Sequence, residues 1–162
     1  MAWVTLSLRK MELVHQHNAL EMEDLRISRE ERKMAREYQL MENEVQNEYD
    51  SQLRGEKLSY KNNKNELNER LRTNDQLTDQ ERTNIQNQLD QETQDYKEKY
   101  DEIKSECEDE VALLEEEAND KESQYEDEKV QIETQMEAVA AEMDAIKQQI
   151  STDIQNEAIQ LK

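Results

Sequence analysis

Apolar residues recur along this chain in two long stripes separated by one slip of phase. Leu6, Leu13, Leu20, Ile27, Met34 and Met41 stand seven apart, and Tyr38, Val45, Tyr49, Leu53, Tyr60, Leu67 and Leu71 join them. A second stripe runs through Ile85, Leu89, Tyr96, Tyr100, Ile103, Cys107, Val111, Leu114, Ala118, Tyr125, Ile132, Met136, Val139, Met143, Ile146, Ile150 and Ile154. Its steps are almost all three, four or seven, which is one narrow face of a helix. Heptads sustained over such a length imply a partner helix to supercoil with. Four-step runs such as 41, 45, 49, 53 mark places where the supercoil relaxes.

The slip falls within Arg72-Thr73-Asn74-Asp75-Gln76-Leu77-Thr78. Thr78 and Glu81 have capping-box spacing, in which the hydroxyl accepts from the Glu81 amide and the carboxylate reaches back to the Thr78 amide. Asn74 and Asp75 tolerate the left-handed or turn geometry that a helix end needs. About this point the two stripes mirror each other, with residue numbers summing to 152. Leu6 then meets Ile146, Leu13 meets Val139, Leu20 meets Ile132, Val45 meets Cys107, and Glu31 meets Lys121 in a seam charge pair. The expected fold is all-α, a long antiparallel coiled-coil hairpin. Helix 1 runs over about 4–73, the turn over 74–77 and helix 2 over about 78–160, in one elongated domain spanning 1–162. A long unbroken rod, or a domain-swapped dimer opening at 72–78, would use the same seam.

Composition supports helices. The chain has no Pro and one Gly, so little punctuates it. With 33% hydrophobic residues and a net charge of −20, disorder is the rival, and the kept register argues against it. Charge is uneven: residues 1–75 hold 13 Lys/Arg and 15 Asp/Glu, residues 76–162 hold 8 and 26. The cluster Arg26, Arg29, Arg32, Lys33, Arg36 falls opposite the acidic stretch 116–126 in this register, which favours the fold-back over pairing of two acidic helices. An acidic chain repels phosphate, so nucleic acid is not expected as a partner. No stretch reaches a membrane span. The N-terminus lacks the basic n-region and cleavage site of a classical signal peptide. Synthesis in the cytoplasm is expected, with signal-less export to the cell surface left open.

Candidate chemistry is sparse. His15 and His17 stand two apart and point to different sides of a helix, so neither metal nor cofactor is expected; His17 reads as a polar seam residue opposite Gln135. The many carboxylates read as solvated faces without a pocket to shift their pKa values. Cys107, amid acidic neighbours, reads as a small core residue and lacks the electropositive setting of a reactive thiol. Gly55 reads as a local weak point or a close-contact site. No catalytic group is assigned, and an enzyme is not expected.

The open end of the hairpin carries more hydrophobicity than its seam uses. Trp3, Val4, Leu8, Met11, Val14, Met22 and Leu25 are spare on the first helix. On the second, Ala138, Ala140, Ala141 and Ala145 give a smooth small-residue surface, and Ile154, Ala158, Ile159 and Leu161 continue past the last paired position. An apolar end of this kind requires a cover. The reading is a structural subunit that forms a homo-oligomer or helical filament through its apolar termini, with the polar turn outward. In general plan it resembles secreted filament subunits and flagellin-like proteins, whose terminal helices pack in the filament core. The alternative is an adaptor, chaperone or viral scaffold that holds a non-identical partner through this end or through the acidic face 106–128.

Overall fold

The computed structural model describes residues 2–160, with side chains from 3 to 159. Two helices account for nearly all of it: α1, Ala2–Thr73, and α2, Asp79–Gln160, packed against each other as an antiparallel hairpin. There is no strand among the described residues. The chain divides into a terminal unit, Met1–Arg36 with Ala118–Lys162, and a turn unit, Glu37–Glu117.

The turn is built from side chains of low helix preference that bond their own backbone. Thr73 Oγ1 donates to the Glu69 carbonyl, closing α1. Asn74 Oδ1 accepts from the Gln76 amide at 3.3 Å, an Asx turn, and the Asn74 carbonyl accepts from the Leu77 amide at 3.5 Å. No described residue has positive φ, so of the left-handed or turn geometry open to Asn74 and Asp75 the chain uses the turn. The Asn74 side chain supplies the bond that a left-handed residue would otherwise have arranged.

At the start of α2 the Glu81 amide donates to Thr78 Oγ1 at 3.2 Å. Glu81 Oε2 accepts from the Thr78 amide at 2.8 Å and from its hydroxyl at 2.9 Å. These bonds, backbone first, hold the Glu81 carboxyl below its usual pKa. A carboxyl depressed in the folded state contributes stability above its unfolded pKa and loses it as pH falls through the folded value. Thr78→Ala is therefore expected to cost about 1 kcal/mol and to move the Glu81 titration upward only part of the way to the ordinary carboxylate range, since the Thr78 amide still donates. Urea melts, and an NMR pH titration between about pH 5 and 3, check both.

In the terminal unit Leu13, Ile27, Ile132 and Ile146 are buried, Leu13 and Ile27 almost completely. Their flanks are polar. Lys10, His17, Asp24 and Glu31 are half-buried beside Leu6, Leu13, Leu20 and Ile27, so this seam is apolar along one row and polar along the next. His17 lies 3.7 Å from Glu21 on its own helix. Arg9 Nε meets Glu142 at 3.0 Å across the seam and Arg9 Nη1 meets Glu12 at 3.0 Å within α1.

The turn unit closes more loosely. Leu89 is its one buried apolar side chain among the described residues. Tyrosines fill much of the rest: Tyr60 stacks on Tyr96 with centroids 4.5 Å apart, and Tyr96 tilts against Tyr100 at 6.1 Å. Tyr60 lies over the seam while its hydroxyl reaches Thr93 at 3.1 Å. Tyr49 donates to Glu110 at 2.9 Å and Tyr38 to Glu117 at 3.5 Å. The Glu110 contact pushes the Tyr49 pKa up to about 12.

Several pairings differ from the sum of 152. That sum puts residue 92 opposite Tyr60, which instead stacks on Tyr96. Glu31 meets Lys129, not Lys121. Asn63 donates to Glu92, three residues beyond its expected facing position. The cause of the direction is geometric. Cα–Cβ bonds tilt toward each helix's own N-terminus. In an antiparallel pair, a side chain on α1 therefore reaches further along α2 than its Cα faces, and the reverse holds for α2. Arg9, long enough to bend along the groove, meets Glu142 within one residue of the simple register.

Three residues assigned to the seam lie outside it: Met41, Tyr100 and Ile154 are 46%, 39% and 49% exposed. After Met34 and Tyr38, two four-residue steps carry the buried face to Glu42, whose stem is half-buried while Met41 points aside. The arginine cluster also pairs differently. Arg26 bonds Glu23 and Glu30 on its own helix, and Arg32 Nε bonds the Ser28 carbonyl. Side chains three and four residues apart meet with less ordering than a reach across the groove requires.

Gly55 has nothing within 4 Å of where a Cβ would stand, so it is no close-contact site. It lies mid-helix with ordinary φ. Gly55→Ala is expected to stabilise the protein by about 0.5–1 kcal/mol, by narrowing the unfolded ensemble and raising helix preference. A thermal melt followed by circular dichroism checks the sign.

Candidate self-association surface

The terminal unit presents α1 with two apolar faces. One is the seam of Leu6, Leu13, Leu20 and Ile27. The other lies on the far side of the helix, where Val4, Leu8, Met11, Met22 and Leu25 recur at steps that keep one face, with His15 and Asn18 between them. All five apolar residues are exposed, Leu8 at 61%, Met11 at 60% and Met22 at 68%. A helix of a two-helix hairpin needs one apolar stripe; this one has two, back to back.

Trp3, also exposed, stands seven residues before Lys10 on the second row of the seam, and Val14 is exposed on the flank between the two faces. There, Ser7, Lys10, Met11, Val14 and His15 line a groove of about 410 Å³ with Ile150 from α2. The opposite flank holds a larger groove of about 580 Å³. Leu20 and Val139 form its floor, Ala19 and Ala138 leave it open, and Gln16, Glu23 and Gln135 rim it. Glu23 is engaged by Arg26, which holds its carboxyl below the usual range. The rim therefore sets little free charge against an apolar ridge.

Ala141, Ala145 and Ala158 are exposed on α2, as are Ile154 and Ile159 at 49% and 72%. Leu161 lies outside the described residues. The assigned residues thus do not make one patch. Val4, Leu8, Met11, Met22 and Leu25 make a ridge on α1, Val14 lies on its flank, Trp3 continues the seam's polar row, and the alanines and isoleucines belong to α2.

The Ala19–Ala138 groove is not legible in the sequence, because its floor is made of seam residues. Small residues at 19 and 138 on facing helices were the available signal. Val130 is also exposed, at 59%, as are Leu40, Leu58 and Leu113 in the turn unit at 63%, 59% and 61%. Spare apolar side chains are not confined to the termini.

Arg9, held by Glu142 and Glu12, keeps its charge more firmly than usual. In the turn unit, burial first and the carboxylates of Asp50, Glu110 and Glu108 next push the half-buried Cys107 thiol up, toward its neutral form. Among the described residues no group of three or more His, Cys, Asp or Glu is placed to hold a metal ion, and no helix is long and apolar enough to cross a membrane.

No protein-family model matches this chain, and comparison with curated proteins and with solved structures finds no match to it.

Proposed function

We propose that the protein is a structural subunit that assembles with copies of itself through its terminal unit. The observation that carries this reading is the second apolar face of α1, five exposed aliphatic and thioether side chains opposite a seam that is already filled. Burying one such side chain is worth about 1.5–3 kcal/mol, so a stripe of this length is a strong drive to association. The ridge on α1 and the groove of Ala19, Leu20, Ala138 and Val139 lie on different faces of one unit. Ridge into groove is therefore a heterologous contact, which closes into a ring or runs on as a helical filament according to its rotation. Small residues in the groove allow helix axes to approach closely. The acidic surplus keeps such an assembly soluble and spaced.

Negative-stain electron microscopy over a concentration series is the test. Rings or filaments that thin out on dilution are the expected result. Isolated particles at every concentration would refute self-assembly and turn attention to a non-identical partner.

A further inference from the structure

The turn unit holds a groove of about 530 Å³ whose chemistry is opposite to that of the chain as a whole. Leu53, Arg54 and Lys57 line it from α1, and Tyr96, Lys97 and Tyr100 from α2, with Asp50 closing one end. On α1 the cations continue at helical spacing, Arg54, Lys57, Lys61 and Lys64, against one carboxylate, Glu56, which is held by Lys99 at 3.5 Å. Lys64 sits over the Tyr60 ring at 5.5 Å. Arg54 Nε donates to the Asp50 carbonyl. None of Arg54, Lys57, Lys61 and Lys97 makes an ion pair. In a chain with 41 carboxylates and 21 Lys and Arg, four such cations about one groove leave it locally basic.

The same unit carries the opposite pole. Segment 106–117 of α2 holds seven carboxylates and no Lys or Arg. Lys97, Lys104, Glu108 and Glu115 recur at seven, four and seven, so the flank that is basic at the groove becomes acidic further along α2. Lys104 and Glu108, at 3.8 Å, mark the crossover.

We infer that this groove is a docking site for the acidic 106–117 segment of a second copy of the chain. A surface with one basic and one acidic pole is self-complementary under a two-fold axis: each copy lays its acidic pole on the other's basic pole. Tyr96 and Tyr100 supply apolar contact area between the charges. The inference rests on the self-assembly reading and adds to it a second, electrostatic contact of a different symmetry. A two-fold contact through the turn unit joined to ridge-into-groove contacts through the terminal unit would cross-link rings or bundle filaments.

The test is charge reversal and complementation, read by sedimentation equilibrium in low salt. Lys57→Glu with Lys61→Glu, and separately Glu108→Lys with Glu115→Lys, each set like charges face to face across the two-fold contact. Each pair is expected to weaken association by ~10-fold or more, with helicity unchanged by circular dichroism. Mixing the two variants restores opposite charges at both halves of the interface and is expected to restore association. The same experiment in a Leu8→Glu/Met11→Glu background isolates this contact from the terminal one; there the expected species is a dimer that salt dissociates. Failure of the mixture to recover, or wild-type association by both variants, overturns the inference. A wild-type chain that forms only the salt-sensitive dimer, and nothing larger at any concentration, would count against the terminal contact alone.

Discussion

A chain carrying Leu8→Glu and Met11→Glu together is expected to remain helical and folded while its self-association at moderate salt weakens by more than ~100-fold. Both side chains stand on the far side of α1 from the seam and are about 60% exposed, so replacing them removes nothing that holds the hairpin together. In an assembled ridge each loses its burial, and each carboxylate must then be desolvated without a partner. Sedimentation velocity measures the association, and circular dichroism confirms that the helices survive. If the hairpin itself melted, the face assigned as outward would be part of the fold, and the reading of two back-to-back stripes would be wrong.

The second large effect falls on the fold. Leu13 is fully buried in the terminal unit, and Leu13→Ala is expected to lower stability by about 2–5 kcal/mol. In a narrow seam with few buried residues there is little neighbouring mass to collapse into the cavity. Leu8→Ala, a change of the same atoms on the exposed face, is the matched control. It is expected to alter monomer stability by no more than about 0.5 kcal/mol. Urea melts at a concentration too low for assembly compare the two. Equal losses would show that burial does not distinguish these faces.

The features readable in the sequence were those governed by periodicity and local chemistry. The stripe of Leu6, Leu13, Leu20 and Ile27 required α1 to face a partner. The slip at 72–78 required a break there, and the Thr78–Glu81 spacing specified bonds that the structure contains. Depth within the seam was harder to read. Met41 and Glu42 differ by one residue, and which of them turns inward depends on accumulated phase over two four-residue steps, not on hydrophobicity. The facing of individual side chains was harder still. A sum of residue numbers describes Cα positions, whereas the tilt of Cβ and the reach of Tyr, Lys and Arg decide contacts such as Tyr60 with Tyr96 and Glu31 with Lys129.

For the candidate surface the sequence supplied a list of spare apolar residues without their arrangement. Val4, Leu8, Met11, Met22 and Leu25 form a ridge because helical spacing keeps them together. The groove between Ala19 and Ala138 needs two helices to be placed side by side before it exists. The basic groove has the same origin: Arg54 and Lys57 are far in sequence from Lys97, and only the fold-back brings them to one flank. Paired-looking charges in a sequence are also a weak guide, since Arg26 satisfies itself on α1 and leaves the acidic face of α2 alone.

On the proposed reading, the second apolar face of α1 is covered by another copy of this chain. Sedimentation velocity of the purified wild-type protein alone, from low to high micromolar concentration at moderate salt, tests it most directly. The expected result is a concentration-dependent shift from monomer to large species, absent in Leu8→Glu/Met11→Glu. A wild-type chain that stays monomeric across the range would contradict it.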